Sequence, residues 1–251
     1  CARFQGATCY TLLEPLMKNL VVAEEDVPHE ELEHCNRKHS FNKSVNPWSI
    51  EMFRKQLAAA KHSGIVNCIL LENLAGKFRY PCILDVKIGT RSWDDSMDAK
   101  KKERHKAKAR STTTATLGFR ICGSQVYSQE AKKFLCHDKY YGRTLTASTI
   151  SDSLREFFQL NTGNNPRVCP RGKKTITALV KRLSELKQVV EVQKGFRFYS
   201  SSLLLLYEGD GNAADINIDV RIIDFAHTSA CKDCDLEDSN SPDTGFLFGL
   251  D

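Results

Sequence analysis

The sequence predicts an α+β fold, because segments typical of strands and segments typical of helices are mixed without a regular βαβ alternation. Residues 203–207 and 216–223 are apolar runs joined across the turn signal Gly-Asp-Gly-Asn, which is typical of a strand pair. Residues 174–192 carry apolar side chains at helical spacing along one stripe. No segment repeats, so we expect a single mixed architecture rather than an array.

The chain begins with segments of different character. Residues 23–45 are polar and acidic, which is typical of a loop or an insertion. Asn46-Pro47 predicts a helix start, since Asn is a good N-cap and Pro is favoured at the first helical position. Apolar residues at helical spacing follow, and Gly64 predicts the end of this helix.

Three strands and a basic helix are predicted next. Short apolar runs at 65–71 and 82–88 are typical of buried strands. Residues 98–110 combine good helix formers with a dense positive charge. Alternation over 117–121 predicts a third strand, which Gly123 is expected to break, with a hairpin continuing at Val126-Tyr127. Further along, the sequence predicts a helix over 150–160 and a loop over 161–173.

Composition limits the class of protein. The chain has 251 residues, of which 41% are hydrophobic and 27% charged, as in an ordinary globular protein of one large or two small domains. No apolar run approaches the roughly 20 residues of a membrane helix, and no signal peptide is visible. The ten cysteines lack a disulfide-like rhythm, so we expect a reducing compartment, cytosol or nucleus.

Asp224 is the first candidate for chemistry. It directly follows the alternating strand at 218–223, so its carboxylate is expected to be fixed in position and still to reach solvent. Such a carboxylate suits Mg²⁺, which prefers one or two carboxylates together with phosphate oxygens and water. The alternative is an Asp that caps a turn.

Asp85, Lys87 and Gly89 are the second candidate, since alternate residues of a strand share one face. A carboxylate beside an ammonium can hold a sugar hydroxyl and a phosphate together. An exposed strand face that carries an ion pair is the alternative.

The basic segment is the third candidate. In a helix, Lys101, His105 and Lys108 fall on one face at i, i+4 and i+7, where they can grip several phosphates. A solvated charged face or a surface for nucleic acid are the alternatives. The aromatic residues expected for single-strand binding are missing, because none lies between Trp93 and Phe119.

Three motifs together resemble the inositol polyphosphate kinase family. Residues 81–89, PCILDVKIG, match its PxxxDxKxG signature; residues 201–204 match its SSLL segment; and residues 223–227, IDFAH, match its metal-binding motif. Further stretches resemble the hexakisphosphate kinase branch, namely NPWS at 46–49, LLENL at 70–74, GFRICG at 118–123, KYYGR at 139–143 and RFY at 197–199. The resemblance covers about residues 46–250.

The resemblance implies a two-lobed fold related to the protein kinases, with a partial N-terminal lobe and hinge at 1–74 and a C-terminal lobe at 75–251. It implies ATP and Mg²⁺ as cofactors and inositol hexakisphosphate or a related inositol polyphosphate as substrate. By resemblance, Glu72 and Leu74 bind adenine through the hinge backbone, and Asp85 holds the ribose. The implied catalytic residues are Lys87, Asp224 and His227, with Asp224 on the metal, and the implied substrate-binding residues are Lys87, Arg91, Lys101, His105 and Lys108.

The beginning of the chain departs from the family pattern. Relatives begin with a strand region whose Lys faces the ATP phosphates, and we find no such Lys here, although Lys18 is a rival candidate. We therefore expect an incomplete N-terminal lobe, weak ATP binding and slow turnover. His105 stands where relatives often carry Gln. An inactive inositol phosphate-binding module and a nucleic-acid-binding protein remain the alternatives to a kinase, which we expect to be a monomer without a membrane span.

Overall fold

The computed structural model describes residues 4–11, 40–41, 65–160, 170–210, 216–230 and 240–251. Its ten strands and six helices, counted within those residues, are named here in chain order. The strands are β1 Phe4–Thr11, β2 Ser40–Phe41, β3 Ile65–Leu71, β4 Pro81–Ile88, β5 Phe119–Ser128, β6 Lys133–His137, β7 Phe196–Tyr199, β8 Ser202–Glu208, β9 Ile218–Ile223 and β10 His227–Ala230. The helices are α1 Ala99–Arg110, α2 Thr114–Leu117, α3 Lys139–Thr144, α4 Ile150–Phe157, α5 Pro170–Val192 and α6 Thr244–Leu250.

A six-stranded antiparallel sheet forms the centre of the described structure, in the strand order β2-β6-β5-β4-β8-β9. Strand β4 lies in the middle and alternates between buried and less buried side chains. Two smaller antiparallel pairs, β1 with β3 and β7 with β10, complete the sheet structure. The α+β prediction is therefore confirmed.

One face of the central sheet packs against helices and forms the core. Cys82, Leu84 and Ile88 of β4 point into this core and are almost completely buried. They cluster with Phe157 of α4 and Phe246 of α6, both at most 2% exposed. Burial of a large apolar side chain stabilises a fold by about 1.5–3 kcal/mol. The packing of this face against the helices therefore stabilises the position of the sheet.

The other face carries the polar residues of β4. Residues directly opposite in antiparallel strands point to the same face. Lys87 is opposite Arg120 of β5 on one side and Ser202 of β8 on the other, and Asp85 is opposite Leu204. Leu204 is in turn opposite Arg221 of β9. We call this surface the site face, and it collects polar side chains from four neighbouring strands.

Strand β5 contains one extra residue. Val86 pairs with Ile121 and Asp85 pairs with Gly123, so Cys122 has no partner on β4 and forms a β-bulge. The strand nevertheless runs from Phe119 to Ser128. The prediction that Gly123 ends the strand is therefore wrong, because the ladder absorbs the irregularity. The hairpin predicted at Val126-Tyr127 is present, and its partner strand is β6.

Most of the other local predictions agree with the structure. The strands predicted at 65–71 and 82–88, the basic helix and the helix beginning at Ile150 are confirmed. Helix α5 begins at Pro170, inside the predicted loop, because Pro fits the first turn of a helix. The predicted helix at 46–62 and the Cys231–Cys234 pair lie outside the described residues.

The beginning of the chain forms a strand that the sequence did not suggest. Strand β1 pairs antiparallel with β3, from Phe4 opposite Leu71 to Thr11 opposite Ile65. The segment FQGATCYT lacks clear alternation, so its pairing depends on β3 rather than on its own pattern. In the part of the chain that the structure describes, no helix combines the length and apolarity needed to cross a membrane.

Candidate active site

Lys87 and Asp224 meet on the site face, although 137 positions separate them in the chain. Lys87 Nζ lies 3.7 Å from Asp224 Oδ2 and donates a hydrogen bond of 2.6 Å to the carbonyl oxygen of Ser200. The Lys87 side chain is 20% exposed and that of Asp224 is 60% exposed. A partly buried ammonium therefore supports a carboxylate that faces solvent.

The backbone at Asp224 is held in the left-handed region, with φ of 63°. Asp tolerates this conformation better than most residues, and such conformations concentrate at functional sites. The fully buried Ser201 donates a hydrogen bond of 3.1 Å from its hydroxyl to the Asp224 carbonyl. Ser200, next to it, also has a positive φ, of 59°. Ser200, directly before the SSLL segment, therefore holds Lys87, and Ser201, the first residue of that segment, holds Asp224.

Asp85 lies beside this pair and is largely removed from water. Burial raises the pKa of the Asp85 carboxyl and the nearby Asp224 charge raises it further, whereas the Ser202 hydroxyl and Lys87 ammonium act in the opposite direction. Its Oδ1 atom is buried without a hydrogen-bond partner among the described residues. A buried oxygen without a partner is costly. A hydroxyl donor or a cation bound between the two carboxylates would satisfy it.

Helix α1 presents Lys101, His105 and Lys108 along one face. The Asp98 side chain caps the helix by accepting from the Lys101 backbone N–H at 3.0 Å. His105 Nδ1 is 3.0 Å from the Ser92 hydroxyl. Burial lowers the pKa of His105, and the positive charges of Lys108 and Lys101 lower it further. The shared face predicted for these residues is therefore present, with Lys101 exposed and Lys108 partly buried.

Two arginines that the sequence analysis did not single out extend this cationic region. Arg120 is 7% exposed and donates from Nη1 to the Thr114 hydroxyl at 2.8 Å. Arg143 of α3 acts electrostatically on both Lys108 and Arg120. Arg120 stands in the stretch GFRICG and Arg143 in the stretch KYYGR. Pairing β5 with β4 would have placed Arg120 opposite Lys87. The bulge and the position of α3 could not be foreseen from spacing.

Arg91 and His227 lie near the ribbon formed by β7 and β10. His227 is opposite Tyr199 in this ribbon, and its Nδ1 lies 3.9 Å from Asp94 Oδ2. The Arg91 guanidinium carbon is 4.8 Å from the centre of the Tyr199 ring. Arg91 Nη2 also pairs with Asp95 at 2.7 Å. These contacts link Arg91 and His227 to the β7–β10 ribbon, whose strand β7 ends just before Ser200 and whose strand β10 begins shortly after Asp224.

The segment with Glu72 and Leu74 joins the opposite side of the site. It follows β3 and contacts the outer strand β9, where Arg221 Nη2 lies 3.8 Å from Glu72 Oε1. Arg221 also pairs with the buried Asp219 at 2.9 Å, and Lys77 pairs with the same carboxyl at 2.9 Å. Lys108, Arg120 and Arg143 lie on the β5 side of β4. The Glu72 segment instead contacts the β9 edge of the sheet.

This arrangement is suited to phosphoryl transfer. Such a reaction depends mainly on positioning and on neutralising phosphate charge, and the site provides a cationic face next to a Lys–Asp pair. Within the described residues, no three His, Cys, Asp or Glu side chains form a ready metal cluster. Magnesium commonly uses one or two carboxylates and completes its shell with substrate phosphates and water, so Asp224 and Asp85 fit such an ion.

The fold is that of known inositol phosphate kinases. The inositol phosphate multikinase from S. cerevisiae, solved in complex with ADP and Mn²⁺, is 23% identical with a TM-score of 0.60, and the match covers 97% of this chain and 94% of that one. A second structure, from studies and engineering of inositol phosphate multikinase, gives a TM-score of 0.61 at 24% identity and covers 95% of each chain. The two-lobed, kinase-related fold is therefore confirmed.

The chain belongs to the inositol polyphosphate kinase family, whose model matches residues 68–251. It is 36% identical to inositol hexakisphosphate kinase 3 of Mus musculus over 233 residues, and this match covers 83% of the chain and 56% of the relative. Inositol hexakisphosphate kinase 3 of Homo sapiens is 34% identical over 247 residues, covering 88% of the chain and 58% of the relative. The chain thus spans little more than half of the curated relatives it matches.

Proposed function

We propose that this chain forms the catalytic part of an ATP-dependent inositol hexakisphosphate kinase, which transfers the γ-phosphoryl group of ATP to a highly phosphorylated inositol. The proposal depends chiefly on one observation, that the Lys87–Asp224 pair adjoins a cluster of cations from α1, α3 and β5. The names of the relatives, inositol hexakisphosphate kinases, support this choice of substrate.

In the proposed reaction, an oxygen of a substrate phosphate attacks the γ-phosphorus of ATP. The bond to the bridging oxygen of ATP breaks, ADP leaves with that electron pair, and the product carries a diphosphate. Lys87 would neutralise charge on the transferred group, because its ammonium is held by Ser200 beside Asp224. His227 is proposed to assist at the same site, and Arg91 to bind substrate.

Asp224 and Asp85 are the carboxylates proposed to serve the nucleotide. Asp224 would bind Mg²⁺, which supplies neutralisation of the ATP phosphates when bound. Asp85, with its unpartnered Oδ1, would accept a hydrogen bond from the ribose. The backbone of Glu72 and Leu74 would bind adenine, and the Glu72–Arg221 ion pair would hold this segment against β9. These roles are consistent with the positions of the residues around one face.

Lys101, His105 and Lys108 are proposed to bind the inositol phosphate. A substrate with six phosphates needs several cations at once, and charge-assisted contacts are stronger than neutral ones. The polar surroundings of these residues and the neighbouring arginines favour a small polyanion. We propose that the protein acts as a monomer in the cytosol or the nucleus, and the thiols of Cys82 and Cys122, which form no disulfide, agree with a reducing compartment.

An inositol phosphate-binding module without catalytic activity is the second candidate function. It is favoured by one observation: strand β1, Phe4–Thr11, carries no lysine that could contact the ATP phosphates. Such a module would keep the cationic face and lose productive nucleotide binding.

Mass analysis of the products distinguishes the two functions. The full-length protein is incubated with ATP, Mg²⁺ and inositol hexakisphosphate, and the products are compared with those of the Asp224→Asn variant. Formation of a diphosphoinositol phosphate only by the unmodified protein supports the kinase. Binding of inositol hexakisphosphate without any product supports the binding module.

A further inference from the structure

The cations of helix α1 fall into two groups according to their partners. Along one stripe of the helix, Lys102 pairs with Asp95 at 3.0 Å, and Lys106 and Arg110 both pair with Glu103, at 3.8 and 3.5 Å. On the site side, Lys108, together with Arg120 and Arg143, forms no ion pair with a carboxylate of the described residues. The site-side cations are thus left with charge that an anion can neutralise.

Helix α3 is held very close to β5, and this closeness brings Arg143 to the cationic region. A Cβ placed on Gly142 would lie 2.0 Å from the carbonyl oxygen of Ile121, so only glycine allows this approach. Gly142 is buried and directly precedes Arg143, and Ile121 directly follows Arg120. The backbone contact therefore sets the two arginines beside each other.

A chain of hydroxyl groups connects Arg120 to the end of α1. Arg120 Nη1 donates to the Thr114 hydroxyl at 2.8 Å, and the Thr112 hydroxyl lies 3.1 Å from that of Thr114. Thr112 Oγ1 in turn donates to the carbonyl oxygen of Lys108 at 2.8 Å. The backbone at Lys108 is consequently linked to the Arg120 guanidinium by these contacts, while Arg143 approaches from α3.

Collecting these charges has an electrostatic cost. Burial lowers the pKa of Lys108, and the positive charge of Arg143 is the largest charged contribution in the same direction. Burial also lowers the pKa of Arg120, and Arg143 again lowers it further. Like charges close together in a partly buried place are destabilising unless a counter-charge binds. The arrangement is therefore what a site for a multiply charged anion requires.

We propose that Arg143 binds a phosphate group of the inositol substrate, at a subsite that it shares with Lys108. The buried Arg120 adds positive charge next to this subsite. This inference rests on the proposed substrate class and adds a residue to its binding. The subsite belongs to the inositol phosphate rather than to ATP, because Arg143 lies on the β5 side of the sheet and the Glu72 segment lies at the β9 edge.

The test compares Arg143→Gln with Lys139→Gln in the full-length protein. Lys139 is an exposed cation on the same helix, so both variants lose one positive charge at nearly the same place. Calorimetry measures the affinity for inositol hexakisphosphate without ATP and for ATP·Mg²⁺ without the inositol phosphate. We expect Arg143→Gln to weaken inositol hexakisphosphate binding about tenfold to a hundredfold and to leave ATP affinity within about twofold. Lys139→Gln should change both affinities less than about threefold.

A more conservative variant, Arg143→Lys, allows the test to be made even if Arg143→Gln misfolds. It keeps the charge but loses the planar two-pronged donor, so we expect an intermediate loss for inositol hexakisphosphate alone. If Arg143→Gln fails to fold by circular dichroism, the lysine variant decides, and unchanged affinity in it would overturn the proposal. Equal effects of Arg143→Gln and Lys139→Gln, or equal losses for both ligands, would also overturn it.

Failure of the proposed function can be told apart from failure of this inference. If the unmodified protein binds inositol hexakisphosphate but forms no product, the kinase assignment fails and the affinities still decide on Arg143. If it forms product and Arg143→Gln binds as well as the control variant, only the role of Arg143 is refuted. Absence of inositol hexakisphosphate binding in the unmodified protein would refute both.

Discussion

The Lys87 ammonium lies 3.7 Å from the Asp224 carboxylate and 2.6 Å from the carbonyl oxygen of Ser200. One cation thus connects β4 to the residue after β7 and to the residue after β9. An ammonium held in this way is already oriented before any ligand arrives. Preorganised charge of this kind is the main means by which a site stabilises a phosphoryl-transfer transition state.

Asp224→Asn is expected to abolish transfer and to leave the fold intact. Asn has the same shape and tolerates the positive φ of this position, so the backbone should be retained. Loss of the carboxylate removes metal-assisted neutralisation worth several kcal/mol, and turnover should fall by a factor of about 10³ or more. Initial rates at saturating Mg²⁺ measure the effect, with exposed Asp152→Asn as the control. Near-normal turnover would remove Asp224 from the metal site.

Lys108→Ala should weaken inositol phosphate binding more than Lys101→Ala, because Lys108 is partly buried and Lys101 is exposed. For Lys108 the loss should be about 1.5–3 kcal/mol, as for a charge-assisted contact. ATP affinity should change little in either variant. Titration with each ligand provides the measurement, and Lys106→Ala, whose ammonium pairs with Glu103, is the control. Equal losses for ATP and inositol phosphate would place Lys108 outside the substrate site.

His105→Gln should make the stability of the protein less sensitive to mild acid. Burial and the charges of Lys108 and Lys101 lower the folded-state pKa of His105, so below about pH 6.5 the unfolded state takes up a proton more readily than the folded one. The stability associated with neutral His105 is therefore present above that pH and is lost as the pH falls towards the lowered folded-state pKa.

Urea unfolding at pH 7.5 and pH 5.5 tests this dependence. The unmodified protein should lose more stability than His105→Gln between the two pH values. Turnover of the variant should stay within a small factor at pH 7.5, because Gln can still accept from the neighbouring hydroxyl of Ser92. Equal pH dependence in both proteins would show that His105 does not contribute.

Glu208→Ala should destabilise the fold by about 3 kcal/mol, because the Glu208 carboxylate is buried and accepts from three backbone N–H groups. These belong to Arg79 at 2.7 Å, Tyr80 at 2.9 Å and Asp210 at 2.8 Å. The carboxylate thus ties the segment before β4 to the end of β8. Denaturant midpoints measure the loss, with exposed Glu130→Ala as the control. A change below about 0.5 kcal/mol would contradict this role.

Arg221→Ala should raise the KM for ATP more than the KM for the inositol substrate. Arg221 pairs with Glu72 at 3.8 Å and with Asp219 at 2.9 Å, and so holds the proposed adenine-binding segment at the β9 edge. Loss of this positioning should weaken ATP binding about threefold to tenfold, the range of a partly exposed ion pair in a network. Initial-rate kinetics with each substrate varied in turn provide the test. A selective effect on the inositol substrate would refute it.

The parts of the site that depend on local periodicity could be predicted from the sequence. Alternation along β4 places Asp85 and Lys87 on one face of that strand. Helical spacing places Lys101, His105 and Lys108 on one face of helix α1, and both features are present. These patterns follow from the backbone geometry of a single element. The strand end before Asp224 was visible for the same reason.

Features that depend on contacts between distant segments could not be predicted in this way. Arg143 reaches the site because Gly142 lies against Ile121, a contact between a helix and a strand that spacing does not reveal. Gly123 was interpreted as a strand end, although the partner strand supports β5 beyond it. Strand β1 likewise depends on pairing with β3. In each case the missing information was the partner rather than the local preference.

The bulge at Cys122 determines which side chains of β5 lie on the site face. Arg120 and Gly123 both stand opposite residues of the site face, Lys87 and Asp85, although three positions separate them and an uninterrupted strand would turn one of them away. Gly123 also leaves the space over Asp85 free of a side chain. Deleting the single residue Cys122 would remove the bulge and leave every other residue of β5 opposite its present partner on β4, with its side chain on the same face. A gap at this one position in a related sequence would therefore be compatible with the same ligand contacts, because all the residues paired with β4 are retained.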